Sequence, residues 1–133
     1  MTKELLEQLY LKLKNEPEND RKNKTGCFDF FEEKVLSEQR YNKYKNVSVT
    51  SKTMKNYYEK HVEGRNNKSN EPCSDLKNLI AEYLGYKSYL DFCYQIEQKS
   101  RTNTPLIENT KKKIVNMAFC LYYLFGCLFL SSF

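Results

Sequence analysis

Apolar residues recur at intervals of three and four along most of the first hundred positions, the spacing of one face of an α-helix. The pattern predicts a first helix over residues 3–14, a second that begins near Cys27, and others over residues 51–62, 74–84 and from Ser88 onward. Polar stretches separate these segments. We therefore expect an all-α protein, a small helical bundle of five or six short helices.

Residues that commonly begin and end helices stand at several of the predicted boundaries. Thr50 follows a short β-branched turn and is placed to cap the helix after it. Gly85 stands where a helix often ends in a left-handed residue. Ser88, with Asp91 three positions later, has the spacing of a capping box.

The last twenty residues, 114–133, contain no charged side chain. Twenty helical residues at ~1.5 Å each span roughly the 30 Å hydrocarbon core of a bilayer. Lys111, Lys112 and Lys113 stand directly before this segment, and basic residues beside a membrane helix stay on the cytoplasmic side. The sequence therefore predicts a single-pass membrane protein whose N-terminal domain is cytoplasmic.

This prediction divides the chain into three parts. We expect a cytosolic helical domain over residues 1–98, a polar linker over 99–113 and one C-terminal transmembrane helix over 114–133, with the lipid bilayer as a partner. The chain is then either tail-anchored or a truncated form of a longer natural sequence.

The formal net charge of +5 is unevenly distributed. Residues 40–68 contain eight basic side chains but only two acidic ones, Glu59 and Glu63. A local basic surface on an otherwise nearly neutral domain is typical of proteins that meet nucleic acid or an acidic partner.

Residues 37–62 within this region have helix-turn-helix character, since a helix, a tight turn and a second helix follow one another. Polar side chains near the start of the second helix can reach phosphates and base edges of a duplex. The candidate DNA-binding residues are Ser51, Lys52, Lys55, Asn56 and Lys60. We expect Asn56 to be the best placed to contact a base.

Two alternatives to DNA binding stay open. The second helix could be an ordinary solvated helix of a bundle. The domain could also be a protein adaptor, because aromatic and basic residues together are typical of interfaces. The tyrosines that would form such a surface are Tyr41, Tyr44, Tyr57 and Tyr58.

The sequence offers little for catalysis. His61 is the only histidine, and no carboxylate is obviously placed to orient it. The five cysteines include no CxxC pair, so neither a zinc site nor a disulfide framework is predicted. No glycine-rich nucleotide motif is present. We therefore expect a protein that is not an enzyme, with no metal, no cofactor and no small-molecule ligand.

Two segments resemble a family of small bacterial helical domains. The first is SKTMKNYYEKHV over residues 51–62, and the second is LKNLIAEYLGYKSYLDFC over residues 76–93. Domains of that family are similar to helix-turn-helix regulators and are often joined to a membrane helix. The resemblance implies a helix-turn-helix-like fold over residues 3–98 but no particular biochemical role. Met54 stands where the family pattern has leucine.

These observations lead to one main hypothesis. We expect a membrane-tethered, regulatory helical module that binds DNA through its basic helix-turn-helix-like surface. The alternative is a protein adaptor that does not bind DNA.

Overall fold

The structure is a computed structural model that describes residues 1–102. Five α-helices account for most of these residues. They are α1 (Thr2–Asn15), α2 (Lys24–Phe30), α3 (Ser51–His61), α4 (Ser74–Tyr83) and α5 (Tyr89–Thr102). A π-helical turn (Phe31–Val35) continues α2, and a 3-10 helix (Gln39–Tyr44) precedes α3. The all-α prediction is confirmed for the described residues, which contain no strand.

The first helix forms because its leucines lie on one face. Leu5, Leu6, Leu9 and Leu13 are all fully buried, as spacings of three and four require. Their face contacts α2, α3 and α4, so α1 lies at the centre of the bundle.

A π turn over Phe31–Val35 continues α2 and carries on its buried face. The Leu36 N–H donates to the Phe31 carbonyl at 3.0 Å, a bond across five residues instead of four. Phe28, Phe31 and Val35, spaced by three and four residues, are all buried. The same turn leaves Glu32 exposed on the other side.

Two of the predicted helix boundaries are confirmed. The Thr53 N–H donates to Thr50 Oγ1 at 3.3 Å, which caps α3. Gly85 follows α4 with a φ of 96°, a conformation that L side chains rarely adopt.

The predicted capping box at the start of α5 has a different form. The Asp91 N–H donates to Ser88 Oγ at 3.2 Å, as expected. The Asp91 carboxylate, however, accepts from the N–H of Lys87 at 3.0 Å and not from that of Ser88. The Asp91 carboxylate therefore fixes the backbone of Lys87, the residue before the capping residue Ser88.

Asn19 is the one buried polar side chain in the core of the described part, with 1% of its surface exposed. Its Nδ2 donates to the Leu13 carbonyl at 2.9 Å, and its Oδ1 accepts from the Arg21 N–H at 3.0 Å. Nδ2 also lies 3.6 Å from the sulfur of Cys27, whose thiol has its pKa raised by burial. Asn19 therefore joins the end of α1 to the segment that leads into α2.

Met1–Ile96 form one compact unit, and a second begins at Glu97. α5 continues to Thr102, past residue 99 where the linker is predicted to begin. The rest of that linker and the predicted membrane segment lie outside the described residues. Within residues 1–102, no helix combines the length and apolar character needed to cross a bilayer.

Candidate functional site

The helix that carries the predicted DNA-binding residues is fixed to the core along one side. Met54 of α3 is fully buried. The ring of Tyr58, one turn later, lies 4.9 Å from that of Tyr10 and 5.8 Å from that of Phe28, measured between centroids. Aromatic pairs at such distances add to the stability that burial provides. One face of α3 is therefore part of the hydrophobic core.

The first turn of α3 is already occupied by a carboxylate. The N–H of Ser51 donates at 2.5 Å to Oε2 of Glu32, a residue of the π turn. The unpaired N–H groups at a helix N-terminus form a natural position for an anion, and a phosphate of DNA would use them. At Ser51 a side chain of the same domain holds that position.

The three lysines of the predicted DNA-binding set differ in their surroundings. Lys55 Nζ donates to Thr25 Oγ1 at 3.3 Å, and Lys60 Nζ donates to the carbonyl of Ser69. Both side chains are half-buried. Lys52 is exposed and has no hydrogen bond or ion pair within residues 1–102. Lys52 is therefore the one lysine of the three that is free to meet a partner.

Asn56 lies beside the loop that follows α3. Its carbonyl accepts from Asn67 Nδ2 at 2.9 Å, and Asn67 Oδ1 accepts from the Ser69 N–H at 3.0 Å. Asn56 itself is half-buried. The loop consequently covers part of the surface from which a base would be contacted.

Glu59 and Glu63 form salt bridges at the C-terminal end of α3 and in the residues after it. Lys24 of α2 pairs with Glu59 at 3.4 Å and also with Glu63. Arg65 pairs with Glu63 at 3.0 Å. The hydrogen bond from Lys24 lowers the pKa of Glu63, so this carboxylate stays charged. Two acidic and two basic side chains thus form a balanced cluster, and the basic excess in the sequence does not form one continuous surface.

His61 has a carboxylate neighbour that the sequence did not indicate. Its Nε2 lies 3.4 Å from Glu71 Oε2. Glu71 also accepts from Lys77 Nζ at 2.8 Å and from the hydroxyl of Thr2. These bonds lower the pKa of Glu71, that from Lys77 contributing most. The bonds of Glu71 to Thr2 and Lys77 join α1 to α4 through the segment before Pro72, and His61 of α3 lies beside them.

The described residues contain no group of three or more His, Cys, Asp or Glu side chains able to hold a metal ion. The cysteines among them are all free: Cys27 is buried, Cys93 is half-buried and Cys73 is exposed.

The tyrosines predicted to form an adaptor surface mostly lie in or against the core. Tyr41 is 4% exposed, and Tyr58 belongs to the aromatic cluster with Tyr10. The hydroxyl of Tyr44 donates to Glu82 at 2.5 Å. These tyrosines mainly pack inside the bundle and expose little surface to a partner.

Two other apolar side chains are exposed on α5. Leu90 is 79% exposed and Tyr94 is 62% exposed, and the interval of four residues places them on the same helix face. We call this pair the α5 stripe. The sequence pattern predicted the buried face of α5, which includes Phe92. It did not indicate that Leu90 and Tyr94 would form a second apolar face exposed to solvent.

A groove of about 420 Å³ lies between the 3-10 helix and the turn that joins α4 to α5. Arg40, Lys43 and Lys87 line it, together with Tyr41 and Glu82. We call this cavity the basic groove. Its residues come from two segments about forty positions apart in the sequence, which is why no local motif indicated it.

Lys111, Lys112 and Lys113, predicted to flank the membrane, lie outside the described residues, as does the predicted transmembrane helix over 114–133. Comparisons of the chain with family models, with curated proteins and with solved structures gave no match. The resemblance to bacterial helix-turn-helix-like domains therefore stays a prediction.

Proposed function

We propose that this chain is a membrane-tethered helical module that binds a partner protein through the α5 stripe. The observation that carries the proposal is the exposure of Leu90 and Tyr94, 79% and 62%, on one face of α5. Large apolar side chains that are adjacent and exposed are typical of interaction sites, whereas isolated ones are common on any surface.

The surroundings of α3 favour a protein over a duplex as the principal partner. Of the five candidate DNA contacts, Ser51, Lys55 and Lys60 already bond to groups of the same domain. A duplex would have to displace Glu32 from the N-terminus of α3 and would meet Glu59 and Glu63 further along it. Of the three lysines, only Lys52 would meet phosphate without giving up a bond within residues 1–102.

The chemistry of α5 indicates what kind of partner fits. Asp91 lies beside Leu90 and Glu97 follows Tyr94 along the helix, while Lys99 and Arg101 lie in its last turn, so α5 is not predominantly basic. A helix that lies on an anionic membrane surface carries Lys and Arg around its apolar face, and carboxylates oppose such binding. An apolar face of a helix from another protein, with polar residues at its edges, is the complementary surface.

The tether itself is proposed from the sequence alone. Residues 114–133 would place the domain at the membrane, with Lys111, Lys112 and Lys113 at the cytoplasmic face. Confinement to that surface raises the concentration of the module near other membrane-bound proteins, so a stripe of only two large side chains could suffice for recognition.

A site-specific crosslinking experiment tests the stripe. A photoreactive residue would replace Leu90, Tyr94 or, as the matched control, Leu11, which is 56% exposed on α1. We expect the same protein to be crosslinked from positions 90 and 94 in the intact, membrane-inserted chain, and not from position 11. Leu90→Lys with Tyr94→Lys should abolish co-purification of that protein, while Leu11→Lys should not. Equal crosslinking from all three positions would contradict the proposal.

A duplex-binding assay on the same chain tests the competing hypothesis. Binding through phosphate contacts weakens steeply as salt rises. We expect no shift of a random duplex at low salt for the wild-type chain. A salt-sensitive shift that is lost in Lys52→Glu would instead support DNA as the partner.

A further inference from the structure

A polar segment lies against the C-terminal half of α3. It consists of residues 66–71, which we call the strap. The strap runs from Arg65, whose N–H donates to the Glu59 carbonyl at 2.9 Å, to Pro72, which is buried. Every residue of the strap is polar or charged, and none is buried. Apolar burial therefore contributes little to its position, and a segment of this kind opens at a small cost in free energy.

Side-chain hydrogen bonds hold the strap in place. Asn67 Nδ2 donates to the Asn56 carbonyl at 2.9 Å, and Lys60 Nζ donates to the Ser69 carbonyl. Opening the strap would free the carbonyl of Asn56 and the ammonium group of Lys60 to bond with another molecule. The strap therefore controls how much of α3 a partner can reach.

The last residue of the strap, Glu71, faces a histidine. Its Oε1 accepts from Lys77 Nζ at 2.8 Å and from the hydroxyl of Thr2. Its Oε2 lies 3.4 Å from His61 Nε2, which is buried and makes no hydrogen bond within residues 1–102. An imidazolium donates through both ring nitrogens, so a charge on His61 would turn this contact into a charge-assisted hydrogen bond.

Two features favour the charged form of His61. It is the last residue of α3, and the helix dipole favours a cation at that end. The carboxylate that it faces stays ionised, because the hydrogen bonds from Lys77 and Thr2 lower the pKa of Glu71.

The other charged groups around His61 come from four helices. Lys60 of α3 and Lys77 of α4 oppose a charge on the imidazole, although both are already bonded. The ring of Tyr89 on α5 lies 5.3 Å from Lys77 Nζ, and burial raises the pKa of this phenol, which stays neutral. On α1 the terminal amino group pairs with Glu4 at 2.6 Å. The charge that α2 contributes belongs to the balanced cluster described above.

We infer that the strap is a proton-controlled cover of α3, held closed by the contact between His61 and Glu71. Histidine ordinarily changes its charge between about pH 5 and 8. At the acid end of that range the imidazolium binds Glu71 and stabilises the closed strap, and this contribution is lost as the pH rises. No residue of the strap belongs to the α5 stripe, so this inference does not depend on the proposed function.

Limited proteolysis of the full chain in detergent tests the inference. Trypsin cleaves after Lys68 only when the strap opens, and the products are identified by mass spectrometry. Each rate is divided by that of a free peptide of residues 62–73 at the same pH, which removes the effect of pH on trypsin itself. We expect this ratio to be about threefold lower at about pH 5.5 than at about pH 8, as a partly exposed ion pair provides.

Cleavage after Lys22 is the internal control, because residues 16–23 are another polar connection and contain no histidine. Its rate is divided in the same way by that of a matching free peptide. Global unfolding would raise cleavage at both sites, so the ratio of Lys68 to Lys22 cleavage isolates the opening of the strap. We expect cleavage after Lys22 not to respond to pH over this range.

Three variants assign the response to its residues. His61→Gln and Glu71→Gln should each abolish the pH dependence of cleavage after Lys68, because either change removes one charge of the pair. Asn70→Ala, a change at an exposed strap residue, should retain it. A pH dependence that survives in His61→Gln, or a wild-type ratio that is the same at both pH values, would overturn the inference. A response that is lost in His61→Gln but kept in Glu71→Gln would also overturn it, since the helix dipole alone would then explain the effect.

Discussion

Replacing Asn19 with alanine removes the buried side chain that joins α1 to α2. The wild-type amide bonds to the Leu13 carbonyl at 2.9 Å and to the Arg21 N–H at 3.0 Å. Each such bond contributes about 1 kcal/mol, and a group left buried without a partner costs more. The Leu13 carbonyl keeps a weaker bond from the Glu16 N–H at 3.4 Å, and Arg21 lies at the surface where water can reach its N–H.

The expected loss in the free energy of unfolding is therefore about 2–3 kcal/mol, which includes a small cavity where the amide stood. For a domain of this size it corresponds to a decrease in Tm of roughly 10–20 °C. Urea unfolding of the full chain in detergent, followed by tyrosine fluorescence, measures the change.

Asn15→Ala is the matched control, because Asn15 is the exposed last residue of α1. Its effect should stay within about 0.5 kcal/mol. A loss for Asn19→Ala as small as that of the control would refute the role assigned to the Asn19 bonds. It would mean that apolar packing alone fixes the segment between the two helices.

Three further predictions concern the end of α4, the ion pair between Glu71 and Lys77, and two tyrosines. Gly85→Ala should cost about 1–2 kcal/mol in thermal unfolding because alanine is strained at a φ of 96°, and Gly85→Asn should recover part of the loss. The pKa of Glu71 lies below its ordinary value of 4.5, so the Glu71 carboxylate stabilises the fold above pH 4.5 and this contribution is lost as the pH falls further. Glu71→Gln should therefore destabilise the fold at neutral pH. In acid unfolding, the difference in stability from the wild type should shrink below pH 4.5. Burial raises the pKa values of Tyr41 and Tyr44 to about 12. Their contribution to stability is therefore present below pH 10 and lost as the pH rises toward 12. Ultraviolet titration should show one fewer late-ionising tyrosine in Tyr44→Phe than in the wild type.

The helices were predictable because their signals are local. The leucines of α1 repeat at the helical interval, and Thr50 and Gly85 act on their immediate neighbours. Each of these interactions lies within a few residues along the chain, so the sequence alone displays it. The π turn was not predictable in this way, since a single extra residue per turn leaves almost the same apolar pattern.

The surroundings of the candidate site were not predictable, because they depend on pairs distant in sequence. Glu32 reaches Ser51 across nineteen positions, and Lys24 reaches Glu59 across thirty-five. The basic excess of residues 40–68 therefore indicated charge without indicating that Lys24 would pair with the two carboxylates of this region or that Glu82 would pair with Lys43. The same reason hid the basic groove, whose residues meet only once α4 packs against the 3-10 helix.

The central position of α1 affects how this protein is made. α1 leaves the ribosome before the helices that cover it, and its leucine face is completed only by α4, which ends at Tyr83. Until then Leu5, Leu9 and their neighbours are only partly covered, since α4 has not yet been synthesised. The nascent chain is consequently a substrate for chaperones that recognise exposed leucines, and ribosome stalling before α4 should promote aggregation during translation.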